Sequence, residues 1–351
     1  MNPVLAPSPE AGDQADASAM PYRSLPVRCW CGADASKDFG TSYVWCTECD
    51  TLVCRSSLGP RGAEVVDDER DFYGIGYWTH RQAERRGFPT IEERARRDLP
   101  ERCVFWLRTL LGFVAPDGRL FEVGAAHGGF LHLARLAGFH VDGVELSPTV
   151  VEFARTAFGV ALRAGSFARA DLPEQSQDAI AAFDVLEHFI DPRTELERIR
   201  RALKPGGVLI CQTPRFPVEA FGTLAARNDR FIEHLSAPEH LYLFSQRSLE
   251  RILAEAGFDR VTFETPLFDY DMFAVAGGTG TRRTSDAVVD DLLRTPSGRT
   301  ALALLELHAG GEELRDVASA RQAVIDELKR ACDERLALIE ELDALLRARN
   351  G

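Results

Sequence analysis

The sequence predicts a doubly wound α/β fold with a parallel sheet, and three observations support this fold class. An apolar run from Leu120 to Val123 ends in a turn of small residues that opens an amphipathic helix, Phe130 to Ala137. Strand and helix patterns then alternate as far as Gly257. Within that alternation, residues 179–183 and 208–210 are continuous apolar runs, which is typical of strands covered on both faces.

The turn after the first strand has the composition of a cofactor-binding loop. Gly124, Ala126 and Gly128 are small, so the backbone can turn sharply and a ligand can approach it closely. The next strand ends at Glu145, about twenty residues past the first glycine, where a carboxylate can bind both ribose hydroxyls. Ser147 and Pro148 then fit the N-cap and first position of the following helix. A nicotinamide dinucleotide would also suit this loop, read as Gly124-x-Ala126-x-x-Gly129.

Two later segments distinguish between these cofactors. Residues 178–188, which end in Asp184-Val-Leu-Glu-His188, and residues 203–210 follow in order after Glu122 and the glycine turn. These four motifs resemble those of class I S-adenosylmethionine (SAM)-dependent methyltransferases. The resemblance implies a Rossmann-like, seven-stranded sheet closed by an antiparallel hairpin, Val261–Glu264 and Asp271–Ala276.

The resemblance also implies which residues bind SAM. Glu145 would bind the ribose, the glycine turn would admit the methionine portion, and Glu122 and Asp184 would orient the loop and the ammonium group. Ser166 and Phe167 would lie beside the adenine. The predicted cofactor residues are Glu122, Gly124, Ala125, Ala126, Gly128, Glu145, Leu146, Ser166, Phe167 and Asp184.

Composition limits the classes of partner. The 351 residues are 45% apolar and carry a formal net charge of −13, which argues against general nucleic-acid binding because such contacts need a basic surface. No stretch is apolar enough to span a bilayer, and residues 1–26 lack the basic start and apolar core of a signal peptide. The sequence therefore predicts a cytoplasmic protein whose first 26 residues form a disordered tail.

Four cysteines near the N-terminus form two closely spaced pairs, Cys29/Cys31 and Cys46/Cys49. Two such pairs can place four thiolates tetrahedrally around zinc, so we predict a structural zinc ribbon over residues 27–60. Cys54 is an alternative ligand. The alternative interpretation is a small β-unit with reduced cysteines and no metal.

Residues 61–115 are predicted to form an aromatic lid and a helical linker. The segment from Asp71 to His80 is either an apolar seam or a lid that points Tyr73, Tyr77 or His80 into an active site. The linker ends in an amphipathic helix from Glu101 to Phe113. The arginines of residues 81–102 are expected to form a solvated face, and one or two of them could hold a phosphate. They are Arg81, Arg85, Arg86, Arg94, Arg96, Arg97 and Arg102.

A methyltransferase whose acceptor is a hydroxyl or an activated carbon needs a base, and three histidines lie on motif loops. His127 lies in the cofactor turn and is assigned a positional role. His188 follows the fourth strand and is either catalytic or a cap of the next helix. His240, next to Glu239, is the first choice for the base; its alternative role is to stabilise a turn.

Taken together, residues 27–276 look like methyltransferases that act on sugars, including nucleotide-sugar C-methyltransferases and enzymes of polysaccharide pathways. That resemblance implies acid–base roles for Glu239 and His240 and a closing role for Tyr73 or Tyr77. O- and C-methylation both remain open, as does the form of the acceptor, a glycan or a nucleotide sugar. Other interpretations are a phenol or quinone O-methyltransferase, an NAD-dependent enzyme and a non-catalytic scaffold.

Residues 116–277 are therefore assigned to the methyltransferase domain and residues 285–351 to a helical extension. Apolar residues recur every three or four positions along the extension, with an irregular coiled-coil heptad. They are Ile325, Leu328, Cys332, Leu336, Ile339, Leu342 and Leu346. The extension is either a helical hairpin on its own domain or an arm that forms a homodimer.

Overall fold

A computed structural model describes residues 27–56, 64–81, 90–278 and 282–350 of the chain. The predicted N-terminal tail lies outside the described residues, as do Arg85 and Arg86. In the described part, no helix is both long and apolar enough to cross a membrane.

The cysteine-rich segment forms a small antiparallel β-unit. Its first two strands pair with each other, and the third, fourth and fifth pair in sequence order. The strands are β1 (Val27–Arg28), β2 (Asp34–Ala35), β3 (Lys37–Phe39), β4 (Tyr43–Cys46) and β5 (Thr51–Cys54). The two longest, β4 and β5, are buried along their whole length.

The predicted seven-stranded sheet is confirmed. Its strands are β6 (Arg119–Val123), β7 (His140–Glu145), β8 (Arg163–Ala164), β9 (Gln177–Phe183), β10 (Leu203–Pro214), β12 (Val261–Glu264) and β13 (Asp271–Gly277). Their order is β12-β13-β10-β9-β6-β7-β8. Five neighbouring strands are parallel to one another: β10, β9, β6, β7 and β8. Strand β13 is antiparallel to both of its neighbours, β10 and β12.

Helices cover both faces of this sheet. The α-helices of the described residues are α1 (Ile91–Asp98), α2 (Val104–Phe113), α3 (Gly129–Ala137), α4 (Pro148–Phe158), α5 (Pro192–Ala202), α6 (Phe221–Ala226), α7 (Gln246–Glu255), α8 (Ser285–Leu293) and α9 (Pro296–Asn350), and not all of them contact the sheet. Successive residues of a strand point to opposite faces. Accordingly, Phe121 and Ile180 pack in the core with α5 and α7, whereas Leu120 and Ala179 pack with α2 and α3.

Two details of the helices bear on the sequence analysis. Ser147 caps α4 by accepting the N–H of Val150, with Pro148 as the first helical residue, as predicted. The helix expected from Glu101 to Phe113 begins as an α-helix only at Val104. The residues before it, Leu99–Cys103, form a wider helical turn that accommodates a proline lacking an N–H.

One strand of the second half of the chain joins the cysteine-rich unit. Strand β11 (Tyr242–Phe244) pairs antiparallel with β5, which extends that sheet to four strands. At the other end of the chain, α8 and the start of α9 pack on the central domain, and Ala301 is fully buried. Beyond Glu312, the described side chains of α9 are exposed except for half-buried Ala331.

Candidate active site

A cavity of about 650 Å³ opens at the carboxyl ends of the parallel strands, where open α/β sheets bind their ligands. It brings together most of the residues predicted for two separate tasks. The predicted cofactor residues that line it are Gly124, Ala126, Glu145, Leu146, Ser166, Phe167 and Asp184. The predicted catalytic residues that line it are Tyr77, His188, Glu239 and His240.

The glycine turn after β6 forms one wall of the cavity. Gly124 has a φ of +67°, and a Cβ there would lie 2.8 Å from Cγ2 of Val185, so only glycine fits. Gly128 and Ala125 do not line the cavity; the N–H of Gly128 donates to the carbonyl of Ala125 at 2.9 Å and closes the turn. These two residues shape the turn that the ligand would contact.

Glu145 is held at the end of β7 by the same turn. Its buried carboxylate accepts the N–H groups of Ala126 at 3.0 Å, Leu146 at 2.8 Å and Ser147 at 3.3 Å. Burial raises the pKa of Glu145, and these backbone hydrogen bonds oppose the rise. The carboxylate is thus fixed in one orientation before any ligand arrives.

Glu122, predicted to orient the ammonium group, is 3% exposed and does not line the cavity. Burial, with the nearby charge of Glu145, raises its pKa well above the ordinary value. Its Oε2 atom has no hydrogen-bond partner among the described residues. A buried acceptor without a donor is costly, so a cationic ligand group close to this turn would suit the site.

Asp184 lies in the cavity wall at the end of a chain of polar side chains. Its carboxylate accepts Nη1 of Arg102 at 3.0 Å and Nε2 of Gln212 at 3.0 Å. The side-chain oxygen of Gln212 accepts Nε1 of Trp106 at 3.1 Å. Sequence reasoning missed Gln212 and Trp106 because they come from separate elements and carry no local motif.

The aromatic segment covers the opposite wall. Tyr73 Oη lies 3.0 Å from Nδ1 of His188, and Tyr77 Oη donates to Oε1 of Glu239 at 2.6 Å. Burial, followed by the charge of Glu239, raises the pKa values of both tyrosines well above the ordinary value, so both hydroxyls remain protonated. Of the three side chains suggested for the lid, Tyr73 and Tyr77 line the cavity, whereas His80 is exposed, contacts Thr79 and does not line it.

The two candidate bases lie side by side. The rings of His188 and His240 are perpendicular, with centroids 4.9 Å apart. Nδ1 of His240 lies 2.7 Å from the carbonyl oxygen of His234, and Nδ1 of His188 lies 3.0 Å from that of Glu239. A carbonyl can only accept, so this contact favours a neutral His240 ring with its proton on Nδ1 and its lone pair on Nε2. At His188 the Tyr73 hydroxyl contacts the same Nδ1 atom, and Nε2 lies 4.0 Å from Oε1 of Glu187.

These contacts also revise the expected role of Glu239. The sequence suggested that this carboxylate orients the neighbouring imidazole, whereas in the structure the carbonyl of His234 orients the His240 ring and Glu239 accepts the Tyr77 hydroxyl. His127 is buried in the glycine turn between Gly129 and Asp98, in keeping with a positional role.

Carboxyl groups outnumber cations around the cavity. Ten of them line its described part, against three arginines. Burial, followed by the charge of Asp184, raises the pKa of Glu187 well above the ordinary value and that of Asp271 to about 8. The three arginines that line the described part of the cavity are each paired with a carboxylate, which disfavours a phosphate there: Arg94 pairs with Asp98, Arg97 with Glu93 and Arg102 with Asp184. The cavity therefore favours a cationic or neutral ligand.

A third wall was not predicted from the sequence. The rings of Phe268 and Tyr270 are parallel, with centroids 5.3 Å apart, and the ring of His234 lies 4.7 Å from that of Tyr270. All three residues line the cavity next to Asp271. They lie on connections that have no motif, although the aromatic content of residues 268–270 was a signal.

Two groups in the described residues could hold a metal. The sulfur atoms of Cys29, Cys31, Cys46 and Cys49 all lie within 4.8 Å of one another, with two pairs at 3.6 Å. Cys54 is not in this group and contacts Ser56. One ligand atom from each of Glu187, His188 and His240 also lies within 4.8 Å of the other two.

Comparison with known proteins agrees with this geometry. Residues 95–262 match the family described as "Methyltransferase domain". The chain is 29% identical over 212 residues to the O-methyltransferase resE of Aspergillus sclerotiorum. The matched region covers 57% of this chain and 73% of that protein. It is 32% identical over 161 residues to the O-methyltransferase cnsE of Penicillium expansum, covering 41% and 53% of the two chains.

A third relative is the ubiquinone biosynthesis O-methyltransferase of Chelativorans sp. (strain BNC1). It is 31% identical over 148 residues, covering 40% of this chain and 58% of that protein. The chain thus spans between about half and three quarters of the length of these relatives. The sheet topology, the cavity and the family match lead to one conclusion: the chain contains a class I SAM-dependent methyltransferase domain and is an enzyme of that kind.

Proposed function

We propose that the protein transfers a methyl group from SAM to a hydroxyl group of a small-molecule acceptor, with His240 as the general base. One observation carries the proposal. A single cavity connects the Glu145 carboxylate and the Gly124 turn, where SAM would bind, with the paired imidazoles of His188 and His240. The relatives supply the preference for oxygen as the acceptor atom, since all three are named O-methyltransferases.

The residues of the cavity fit SAM. Bound SAM supplies a methyl group on a positively charged sulfur. Glu145 would accept the ribose hydroxyls, Gly124 leaves room for the ligand, and the carboxyl-rich lining complements positive charge. The buried Oε2 atom of Glu122 would find a donor if the ammonium group approached the turn, directly or through water.

Proton removal would be the task of His240. Its Nδ1 atom lies 2.7 Å from the carbonyl oxygen of His234, so the neutral ring would have its lone pair at Nε2. His188, whose Nδ1 atom lies 3.0 Å from both the carbonyl oxygen of Glu239 and the Tyr73 hydroxyl, is the second candidate. Tyr77 and Glu239 would close the site over the acceptor, and their short hydrogen bond would hold the aromatic segment in place.

A sugar or glycan-pathway acceptor is our first choice of substrate. The parallel rings of Phe268 and Tyr270 offer a stacking surface, and Asp184 and Asp271 offer acceptors for hydroxyl groups beside it. Few uncompensated cations line the described part of the cavity, so a free or glycan-linked sugar fits better than a nucleotide sugar. A phenol or quinone acceptor is the alternative, because the same rings would stack on an aromatic ring and one relative acts in ubiquinone biosynthesis.

Two measurements test this proposal. S-adenosylhomocysteine should raise the melting temperature and NADH should not, because only a bound ligand stabilises the folded state. Purified protein with labelled SAM should then methylate members of a panel of free sugars, glycans, nucleotide sugars and phenols. The assay is run with and without added divalent cations because Glu187, His188 and His240 lie close enough to share one. Stabilisation by NADH alone, or transfer to none of the panel classes, would contradict the proposal.

We also propose that Cys29, Cys31, Cys46 and Cys49 hold a structural zinc ion. Zinc–sulfur bonds of about 2.3 Å in a tetrahedron place the sulfurs about 3.8 Å apart, close to the 3.6 Å of the two close pairs. Elemental analysis should find one zinc per chain, and fewer in Cys46→Ser. A second copy of the chain is the partner proposed for the exposed half of α9.

A further inference from the structure

The cysteine-rich unit and the candidate base share a β-sheet. Strand β11 starts two residues after His240 and pairs with β5 of the unit, with Tyr242 opposite Val53 and Phe244 opposite Thr51. The N–H of Ser245 also donates to the carbonyl of Asp50 at 3.3 Å. The backbone that carries His240 therefore continues directly into the sheet of the cysteine-rich unit.

Three hydrogen bonds fix the peptide groups of His240 and Leu241. The hydroxyl of Tyr43, a residue only 1% exposed, donates to the carbonyl of His240 at 2.9 Å. The N–H of Cys54 donates to the carbonyl of Leu241 at 2.9 Å. On the other side, the N–H of Leu241 donates to the carbonyl of Glu187 at 2.7 Å. The backbone of the candidate base is thus hydrogen-bonded to the cysteine-rich unit on one side and to the loop after β9 on the other.

The thiols lie at the end of the hairpin that makes these contacts. Cys46 is the last residue of β4 and pairs with Thr51, the first residue of β5. The Sγ atom of Cys49, in the intervening turn, lies 3.1 Å from Oγ1 of Thr51, which also accepts Nε1 of Trp30 at 2.9 Å. A metal bound by the four sulfurs would therefore connect the turn between β4 and β5 with the loop that carries Cys29 and Cys31.

We propose that the cysteine-rich unit is a positioning element for the general base, with Tyr43 as the positioning residue. Metal bound by the four thiols holds the hairpin of β4 and β5, and this hairpin holds the backbone of His240 through Tyr43 and Cys54. The unit then affects the rate of transfer without touching SAM. This inference rests on the proposed role of His240 and extends it to a residue almost two hundred positions away in sequence.

The first test removes one oxygen atom. Tyr43→Phe should lower kcat about fivefold, the effect of one neutral hydrogen bond, and change the pH–rate profile, because the imidazole shifts relative to the acceptor. KM for SAM and the affinity for S-adenosylhomocysteine should stay unchanged. Tyr242→Phe is the matched control, since it removes a hydroxyl from the adjoining strand without altering the contact with the His240 carbonyl, and it should behave as wild type.

A role in folding alone would give a different result. Tyr43→Phe would then lower the melting temperature, while kcat per folded molecule and the pH–rate profile would equal those of wild type. That result would overturn the proposal. A fall in kcat of the same size in Tyr242→Phe would also contradict it, because the effect would then belong to the interface in general.

The second test needs no activity. After zinc is removed by a chelator, amide hydrogen exchange should speed up in peptides covering residues 43–54 and 239–245, and it should stay unchanged in a peptide covering the glycine turn, residues 122–131. Restoring zinc should reverse the change. Unchanged exchange in residues 239–245 would overturn the positioning role, even if SAM still binds. If the protein fails to bind SAM but shows the predicted exchange pattern, the proposed function is contradicted. The structural connection between the cysteine-rich unit and residues 239–245 would still hold.

Discussion

Replacing Glu145 by Gln tests the cofactor site with almost no change in side-chain volume. The wild-type carboxylate accepts backbone N–H groups through both oxygens, from Leu146 and Ser147 on Oε1 and from Ala126 on Oε2. In the glutamine variant, the side-chain NH₂ group replaces one carboxylate oxygen and faces a backbone N–H donor, to which it cannot hydrogen-bond. The side chain therefore loses one backbone hydrogen bond and one acceptor for the ribose hydroxyls. A hydrogen bond to a charged group contributes about 2 kcal/mol, which corresponds to about 30-fold weaker binding of S-adenosylhomocysteine.

Isothermal titration calorimetry measures this loss. Glu152→Gln is the matched control, because Glu152 is an exposed glutamate on α4 that pairs with Arg155 outside the cavity, and its affinity should equal that of wild type. Circular dichroism confirms that both variants are folded. A Glu145→Gln variant that is folded and binds S-adenosylhomocysteine as tightly as wild type would refute the assignment of this carboxylate to the ribose.

Three further predictions follow from the same contacts. His240→Gln should lower kcat at least about 100-fold without changing the affinity for S-adenosylhomocysteine, as single-turnover kinetics can show; a smaller loss than in His188→Gln would transfer the base role to His188. Burial raises the pKa of Asp271 from 3.8 to about 8 in the folded protein, so between these pH values folding takes up a proton. The free energy of unfolding should therefore fall as the pH rises toward 8. Asp271→Asn should therefore flatten the fall in melting temperature between pH 5 and 9, and an unchanged slope would contradict this. Removing residues 314–351, whose described side chains are exposed apart from Ala331, should leave the affinity for S-adenosylhomocysteine within about twofold of wild type, and light scattering would show whether a dimer becomes a monomer.

The sequence predicted the central domain well because its signals are local. Apolar runs, the glycine turn and an acid at a fixed distance predicted β6, α3 and β7. The cavity lies at the ends of β6 and β9, the two neighbouring strands between which the strand order reverses. The two cysteine pairs likewise predicted a group of four sulfurs within reach of one ion.

The sequence could not predict contacts between distant segments. Nothing in residues 242–244 indicates that they pair with residues 51–53, and no pattern connects Tyr43 with His240. The stacked pair Phe268 and Tyr270 also lies on a connection whose path depends on the packing of the whole domain. Such contacts depend on tertiary structure, which local periodicity does not encode.

Charge was the other source of error. The arginines of residues 94–102 suggested a phosphate site because they are dense in sequence, yet the folded chain supplies an acid to each of Arg94, Arg97 and Arg102. Asp98 and Glu93 come from the same helix, but Asp184 comes from the end of β9. The count of charges in a segment therefore said little about the net charge of the site.

A crystal structure with S-adenosylhomocysteine would show whether one cavity holds both the cofactor and the base. We expect the ribose hydroxyls on Glu145, the adenine beside Phe167, and the sulfur on the side of the cavity that holds His188 and His240. Density for the ligand in another part of the molecule, or a sulfur that faces away from both imidazoles, would contradict this expectation.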